Sequence, residues 1–270
     1  MKKYSFIAVA FAAMAFAACT GKQGAQSDTD AQKDSLRIFE QEQIEASIKL
    51  NLDSLAAEIG RLQNLPVVQK DGALQLTDEE KQVKPDYLLD PAAAENAMTL
   101  AEQYRLLAAM NVDKAVAALY DMPVDDYVKA IAKLLAAIND PSFKTVDSEA
   151  AINESAQALY EAMEQNGRIN YFWQIVTASL VEQFYIVSQN TEKFLASFDD
   201  DAASEISLRL VLIQDAISRL TEYDANLLPV ADALEPLYGI NAVTVDELKA
   251  QIEQCKEDIA LSRKSLISNF

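Results

Sequence analysis

From Val124 the chain spaces its large apolar residues by three and four. Val124, Tyr127, Val128, Ile131, Leu134, Leu135 and Ile138 fall on one stripe of a helix. The same spacing recurs in Ile206, Leu210, Ile213, Ile217 and Leu220, and again in Val245, Leu248, Ile252, Cys255 and Ile259. No stretch sustains the period-two alternation of a half-buried strand between Gly-rich turns. Only 6 glycines occur in 270 residues, and the strong helix formers Ala, Leu, Glu, Gln and Lys dominate. The expected class is all-α, an antiparallel helical bundle or helix-hairpin array of about seven to eight helices.

Capping residues punctuate these stripes. Thr77-Asp78-Glu79-Glu80 and Thr244-Val245-Asp246-Glu247 read as capping boxes, Asp90-Pro91 as an N-cap followed by Pro at the first helical position, and Asn166-Gly167 as a left-handed stop. A first helix is predicted over 29–63, with Ile44, Ile48, Leu52, Leu55, Ile59 and Leu62 inward and Pro66 stopping it. The next runs from Asp90 to Met110, and Asn111 restarts a short piece to Tyr120. A helix opened by Met122-Pro123 ends at Asn139-Asp140-Pro141, and another turns Ile152, Ala156, Leu159, Tyr160 and Met163 inward. The most apolar helix is predicted from Arg168 to Phe198, and Asp199-Asp200-Asp201 begins its successor. Pro229 and Pro236 cut the next stretch into short pieces, and the last helix runs from Thr244 nearly to Phe270. No fixed internal period marks a repeat array.

At the amino terminus Lys2 and Lys3 lead into an uncharged run from Tyr4 to Ala18, with Phe16-Ala17-Ala18 directly before Cys19. This is the pattern of a secretory signal, and the run is short of the roughly 20 residues of a membrane-spanning helix. The segment resembles the lipobox of bacterial lipoproteins, with Phe16 where Leu is usual. That resemblance implies a signal peptide over 1–18 and acylation of Cys19, which anchors the chain to a membrane through several buried methylenes at roughly 0.8 kcal/mol each. Residues 19–27 carry no large apolar side chain and read as a flexible tether, leaving 28–270 as a single all-α domain. Thr20 rather than Asp after the cysteine points to the outer membrane. Acidic residues begin only at Asp28, which favours the periplasmic face over the cell surface.

A formal charge of −19 repels phosphate backbones, so nucleic acid is not an expected partner. With Cys19 assigned to lipid, Cys255 has no partner for a disulfide, and its place on an apolar stripe reads as a small buried hydrophobe. The chain has 0 histidines, which removes the usual serine and cysteine triads and most zinc and iron sites. No phosphate-binding Gly-rich loop, GxSxG elbow or EF-hand loop is present. Asp199-Asp200-Asp201 reads as N-cap and helix-dipole partners rather than a cation site. No cofactor or metal is expected.

Glu182 is the polar residue that stands out. It sits in the stretch from Tyr171 to Val187, apolar on nearly every side, which predicts a central helix buried by several neighbours. A carboxylate there must find a cation or donors, with Arg105, Lys114 or a Tyr hydroxyl as candidates. It is open to two readings: a structural buried pair, or a ligand-orienting carboxylate with Trp173 and Tyr185 as nearby walls.

Three stretches together resemble a family of all-helical bacterial envelope lipoproteins of unassigned function. Leu88-Leu89-Asp90-Pro91 is similar to that family's Leu-Leu-Asn-Pro opening of a helix. Leu107 to Tyr120 is similar to its Leu-Gly-x-x-Gly-Ala-Asp-Leu segment, with Asp113 and Tyr120 on the Asp and Tyr positions and Ala108 and Asn111 where glycines are usual. Val181-Glu182-Gln183-Phe184-Tyr185 is similar to its Trp-Ile-Glu-x-Leu-Tyr core, with Leu180 in place of Trp. The resemblance implies a helical fold and lipidation and brings no activity. The expected function is a non-catalytic envelope module that binds or scaffolds a protein partner. The alternatives are a small-ligand or lipid carrier with an interhelical pocket near Glu182, and a carboxylate-based glycan-active enzyme, which 1 Trp and 6 Gly argue against.

Overall fold

Capping chemistry sets where the helices begin and end in the computed structural model, which describes residues 46–68, 74–144 and 156–268. The signal segment, Cys19, the tether, Ile44 and Ile152 lie outside those residues. Ile48–Phe270 forms one compact unit. It is all-helical, with 11 helices and no strand among the described residues. The α-helical segments are α1 (46–59), α2 (Asp78–Gln82), α3 (Leu100–Leu119), α4 (Asp125–Ile138), α5 (Ala156–Gln165) and α6 (Ile169–Gln189). They continue with α7 (Thr191–Phe194), α8 (Asp200–Thr221), α9 (Leu228–Leu234), α10 (Val245–Gln254) and α11 (Lys256–Arg263).

The expected caps are made, with one capping box incomplete. Thr77 Oγ1 accepts from the Glu80 amide at 3.3 Å and Glu80 accepts from the Thr77 amide at 2.8 Å, a full capping box. Asn139 closes α4 in the left-handed region (φ 46°), and Gly167 does so after α5 (φ 66°), where the Arg168 amide reaches back to the Met163 carbonyl at 2.8 Å. Asp199 accepts from the Ala202 amide at 2.9 Å, and Asp200 accepts from the Val245 amide at 2.9 Å, so both carboxylates are spent on backbone N–H groups. Thr244 accepts from the Glu247 amide at 3.2 Å, but Glu247 turns to the Val243 amide at 3.0 Å, so only half of the second box forms.

Five boundaries differ from expectation, four of them for a local reason. The helix expected from Asp90 is a 3-10 turn, Pro91–Glu95, and the long helix starts at Thr99, whose hydroxyl and Glu102 form an unread capping box. That helix, α3, continues through Asn111, because the Asn111 amide donates to the Leu107 carbonyl at 2.9 Å and finds its partner within the helix. α1 ends at Ile59 rather than near Gln63. Gly60 comes next, and a Cβ there would come within 3.2 Å of Gln157 Cβ, a tight approach to α5 that a side chain could take only if Gln157 gave way. The buried guanidinium of Arg209 then takes the carbonyls of Ile59 at 3.2 Å and Leu62 at 3.0 Å. The apolar helix from Arg168 breaks at Asn190 (φ −161°, ψ 85°), whose side chain caps α7 through the Lys193 amide at 3.0 Å. The final helix divides at Cys255 and tightens into a π turn over Lys264–Ser268.

α6 is the central helix, as its composition predicts: every residue from Phe172 to Phe184 is buried. It packs against α3, α5, α8 and α11. Tyr160, Phe172 and Trp173 meet edge to face with centroids 5.0–6.4 Å apart, and Tyr104 stacks on Tyr171 at 4.6 Å. Arg105 ties α3 to α6 and to the carboxy-terminal turn, donating to Gln174 Oε1 at 2.7 Å and to the Leu266 carbonyl at 2.8 Å. The scaffold thus brings α3, α4, α6, α11 and the segment 83–90 to one place.

Candidate functional site

That place is a buried carboxyl–arginine network. Glu182, fully buried on α6, accepts from Arg263 Nε at 3.0 and 2.8 Å and from Nη2 at 2.7 Å. Arg263 also donates to the Tyr87 carbonyl at 3.3 Å, and its guanidinium lies 4.0 Å from the centre of the Tyr185 ring. Burial opposes the guanidinium charge, but the bonds and negative charge of Glu182 outweigh it and hold Arg263 above its ordinary value.

Asp113 of α3 completes the group. Its Oδ2 accepts from the Leu89 amide at 2.7 Å and stands 4.0 Å from Arg263 Nη2. Its Oδ1 is buried with no donor to accept from, yet the Glu182 carboxylate is within hydrogen-bonding reach. Burial, then the negative charge of Glu182, push Asp113 well above the usual carboxylate range. The fold therefore favours the neutral form of Asp113, beside the Glu182 carboxylate. With Asp113 protonated, one carboxylate and one guanidinium balance inside. Tyr127 of α4 fixes the Leu89 backbone from the other side, donating to its carbonyl at 2.8 Å. The three stretches that carry the family resemblance meet here, through Leu89, Asp113, Glu182 and Tyr185.

A cleft of about 410 Å³ opens beside this network, within the range of about 300–1,000 Å³ common for ligand sites. Segment 80–87, the end of α3 and the junction of α6 with α7 supply its walls. Tyr87, whose carbonyl receives Arg263, lines the cleft, and Tyr120 lies beside its hydroxyl. Burial first, and then Tyr120, push the Tyr87 phenol upward. Lys84 Nζ donates to the Tyr120 carbonyl, while Lys193 Nζ donates to the Tyr120 hydroxyl at 2.8 Å and lies 4.6 Å from the ring centre. A second, shallower cleft of about 200 Å³ lies between Pro91–Glu95 and α4, and there Lys129 and Lys133 are paired with Asp126 and Glu95 at 2.7 and 3.0 Å.

Of the residues singled out by sequence, Glu182 and Tyr185 come together around Arg263, whereas Trp173 joins the aromatic cluster with Tyr160 and Phe172. None of the three lines either cleft. The partner of Glu182 is Arg263 rather than Arg105, which serves Gln174 and Leu266. Arg263 lies four residues after Ile259 and so continues the inward stripe of the last helix, a signal the sequence carried. Cys255 is partly buried against the core, and burial, with Asp258 nearby, raises its thiol, so it is not an activated nucleophile. Among the described residues no group of three His, Cys, Asp or Glu side chains is arranged to hold a metal ion, and no helix is long and apolar enough to cross a membrane. Comparison with protein-family models, with curated proteins and with solved structures finds no match for this chain, so its resemblance to helical lipoproteins rests on the quoted residues alone.

Proposed function

We propose that this protein is a non-catalytic binding module of the cell envelope, held on the periplasmic face of the outer membrane by lipid on Cys19, and that its cleft beside Tyr87 engages a protein partner. One observation carries this reading. The carboxyl pair is sealed in the core, with Glu182 held by Arg263, while the open cleft presents ammonium, phenol, amide and carboxylate groups suited to holding a ligand. The anchor rests on the signal-like amino terminus. A photo-crosslinking amino acid in place of Val83, which lines the cleft and is 77% exposed, tests the reading in cells. A discrete crosslinked partner is expected from Val83 and not from exposed Val211 on α8; equal, diffuse labelling from both sites contradicts it. Metabolic labelling with a clickable fatty acid tests the anchor: Cys19→Ala abolishes the label, and a variant that keeps it overturns the assignment.

A further inference from the structure

Lys49, Lys81, Lys129, Lys133 and Lys249 each meet an Asp or Glu within 3.2 Å. The two lysines of the cleft do not. Lys84 donates to a backbone carbonyl, and Lys193 donates to the Tyr120 hydroxyl, with its nearest carboxylate, Glu80, 4.0 Å away. That separation is too long for a hydrogen bond, and the other Glu80 oxygen is held by the Thr77 amide at 2.8 Å. Two ammonium groups with incomplete charge compensation thus flank Tyr120 in one concave site. Each retains donors, since an ammonium carries three.

The rest of the lining limits what anion fits. The rings of Tyr87, Tyr120 and Phe194 supply an apolar wall, and the side chains of Gln189 and Asn190 supply amides at its edge. Glu80 and Asp86 stand on the rim, and among the described residues Asp86 meets no cation. A phosphate dianion would suffer most from that rim, whereas a monoanionic carboxylate with an apolar neighbour matches the ammoniums and the rings together. The rim then favours a basic residue just upstream of the carboxylate. A chain end meets all three requirements, and backbone amides can use Gln189 and Asn190.

We propose that the cleft captures the free carboxyl terminus of a partner polypeptide. The α-carboxylate lies on Lys84 and Lys193, the last side chain rests on the Tyr87–Phe194 wall, and Asp86 and Glu80 select a basic residue upstream. This inference rests on the reading of the cleft as a partner site.

The test is fluorescence anisotropy with the full chain in mild detergent. The probe is a hexapeptide pool labelled with fluorescein at its amino end, carrying Lys at its third position and randomised over its last three. The free-acid pool is expected to bind at least tenfold more tightly than the same pool with amidated carboxyl ends. Lys84→Met and Lys193→Met are each expected to erase that difference. Lys84 is exposed, so its variant keeps the fold, as an unchanged circular dichroism spectrum and melting temperature verify. Asp86→Asn is expected to weaken selection of Lys over Glu upstream by several-fold. Equal binding of acid and amide pools, no binding of either, or full persistence of the preference in both lysine variants overturns the proposal. Competition by the free dipeptide Ala-Leu as strong as by the hexapeptides would also overturn it, by assigning the cleft to small free peptides. If Val83 still crosslinks a partner while the acid pool fails, the carboxylate inference is lost and the partner-site reading survives.

Discussion

Burial and the negative charge of Glu182 favour the neutral form of Asp113, which can donate to Glu182 while accepting from the Leu89 amide, a pattern that an asparagine reproduces. The unfolded chain releases the Asp113 proton near the ordinary value of 3.8, whereas the fold retains it to a higher pH. The folded state thus binds more protons in that interval, so this residue's contribution to stability falls as pH rises above the ordinary value, until the folded group itself titrates. Asp113→Asn removes that loss. Urea unfolding at pH 5 and pH 8 should find the variant gaining on the wild type with pH, by up to about 1.4 kcal/mol per unit. The same penalty at both pH values would mean that Asp113 is ionised in the fold. Gly167 supplies a second test at this scale. Its φ of 66° disfavours an L side chain, yet an added Cβ would meet nothing within 4 Å. Gly167→Ala should therefore cost about 1 kcal/mol by backbone conformation alone, read from the urea midpoint.

Helices were legible where a stripe and a cap coincided, as at α4, α5 and α8. They were misread where a side chain changed what the backbone could do. Asn111 looked like a breaker but bonds back to Leu107, and Asn190, inside the span expected as one helix, ends α6 and caps α7. An Asn in either place reads the same in sequence, since only the local dihedral angles decide which bond its amide makes. Asn190→Ala removes the cap on α7 and should lower stability by about 1 kcal/mol. It also removes an amide from the cleft wall. An unchanged urea midpoint would mean that α7 is held by the packing of Phe194 alone.

Across the whole molecule, what sequence concealed was long-range pairing. Glu182 announced itself as a carboxylate in an apolar helix, but Arg263, 81 residues away, could be recognised only by its place on the last inward stripe. The cleft was less legible still, because segment 80–87, the end of α3 and the α6–α7 junction contribute a few residues each and none carries a motif. The same convergence explains why the carboxyl pair is read as structure: it joins α3, α6, α11 and the 83–90 segment, and truncating it strands a buried guanidinium. Replacing Glu182 and Arg263 together by Met should restore much of what either single truncation loses, since no unpaired charge then remains. The direct test of the account is urea denaturation of Glu182→Ala at neutral pH. It should lose about 3–5 kcal/mol, the range for breaking a buried pair. A variant as stable as the wild type would contradict the account and return Glu182 to the role of a ligand-facing carboxylate.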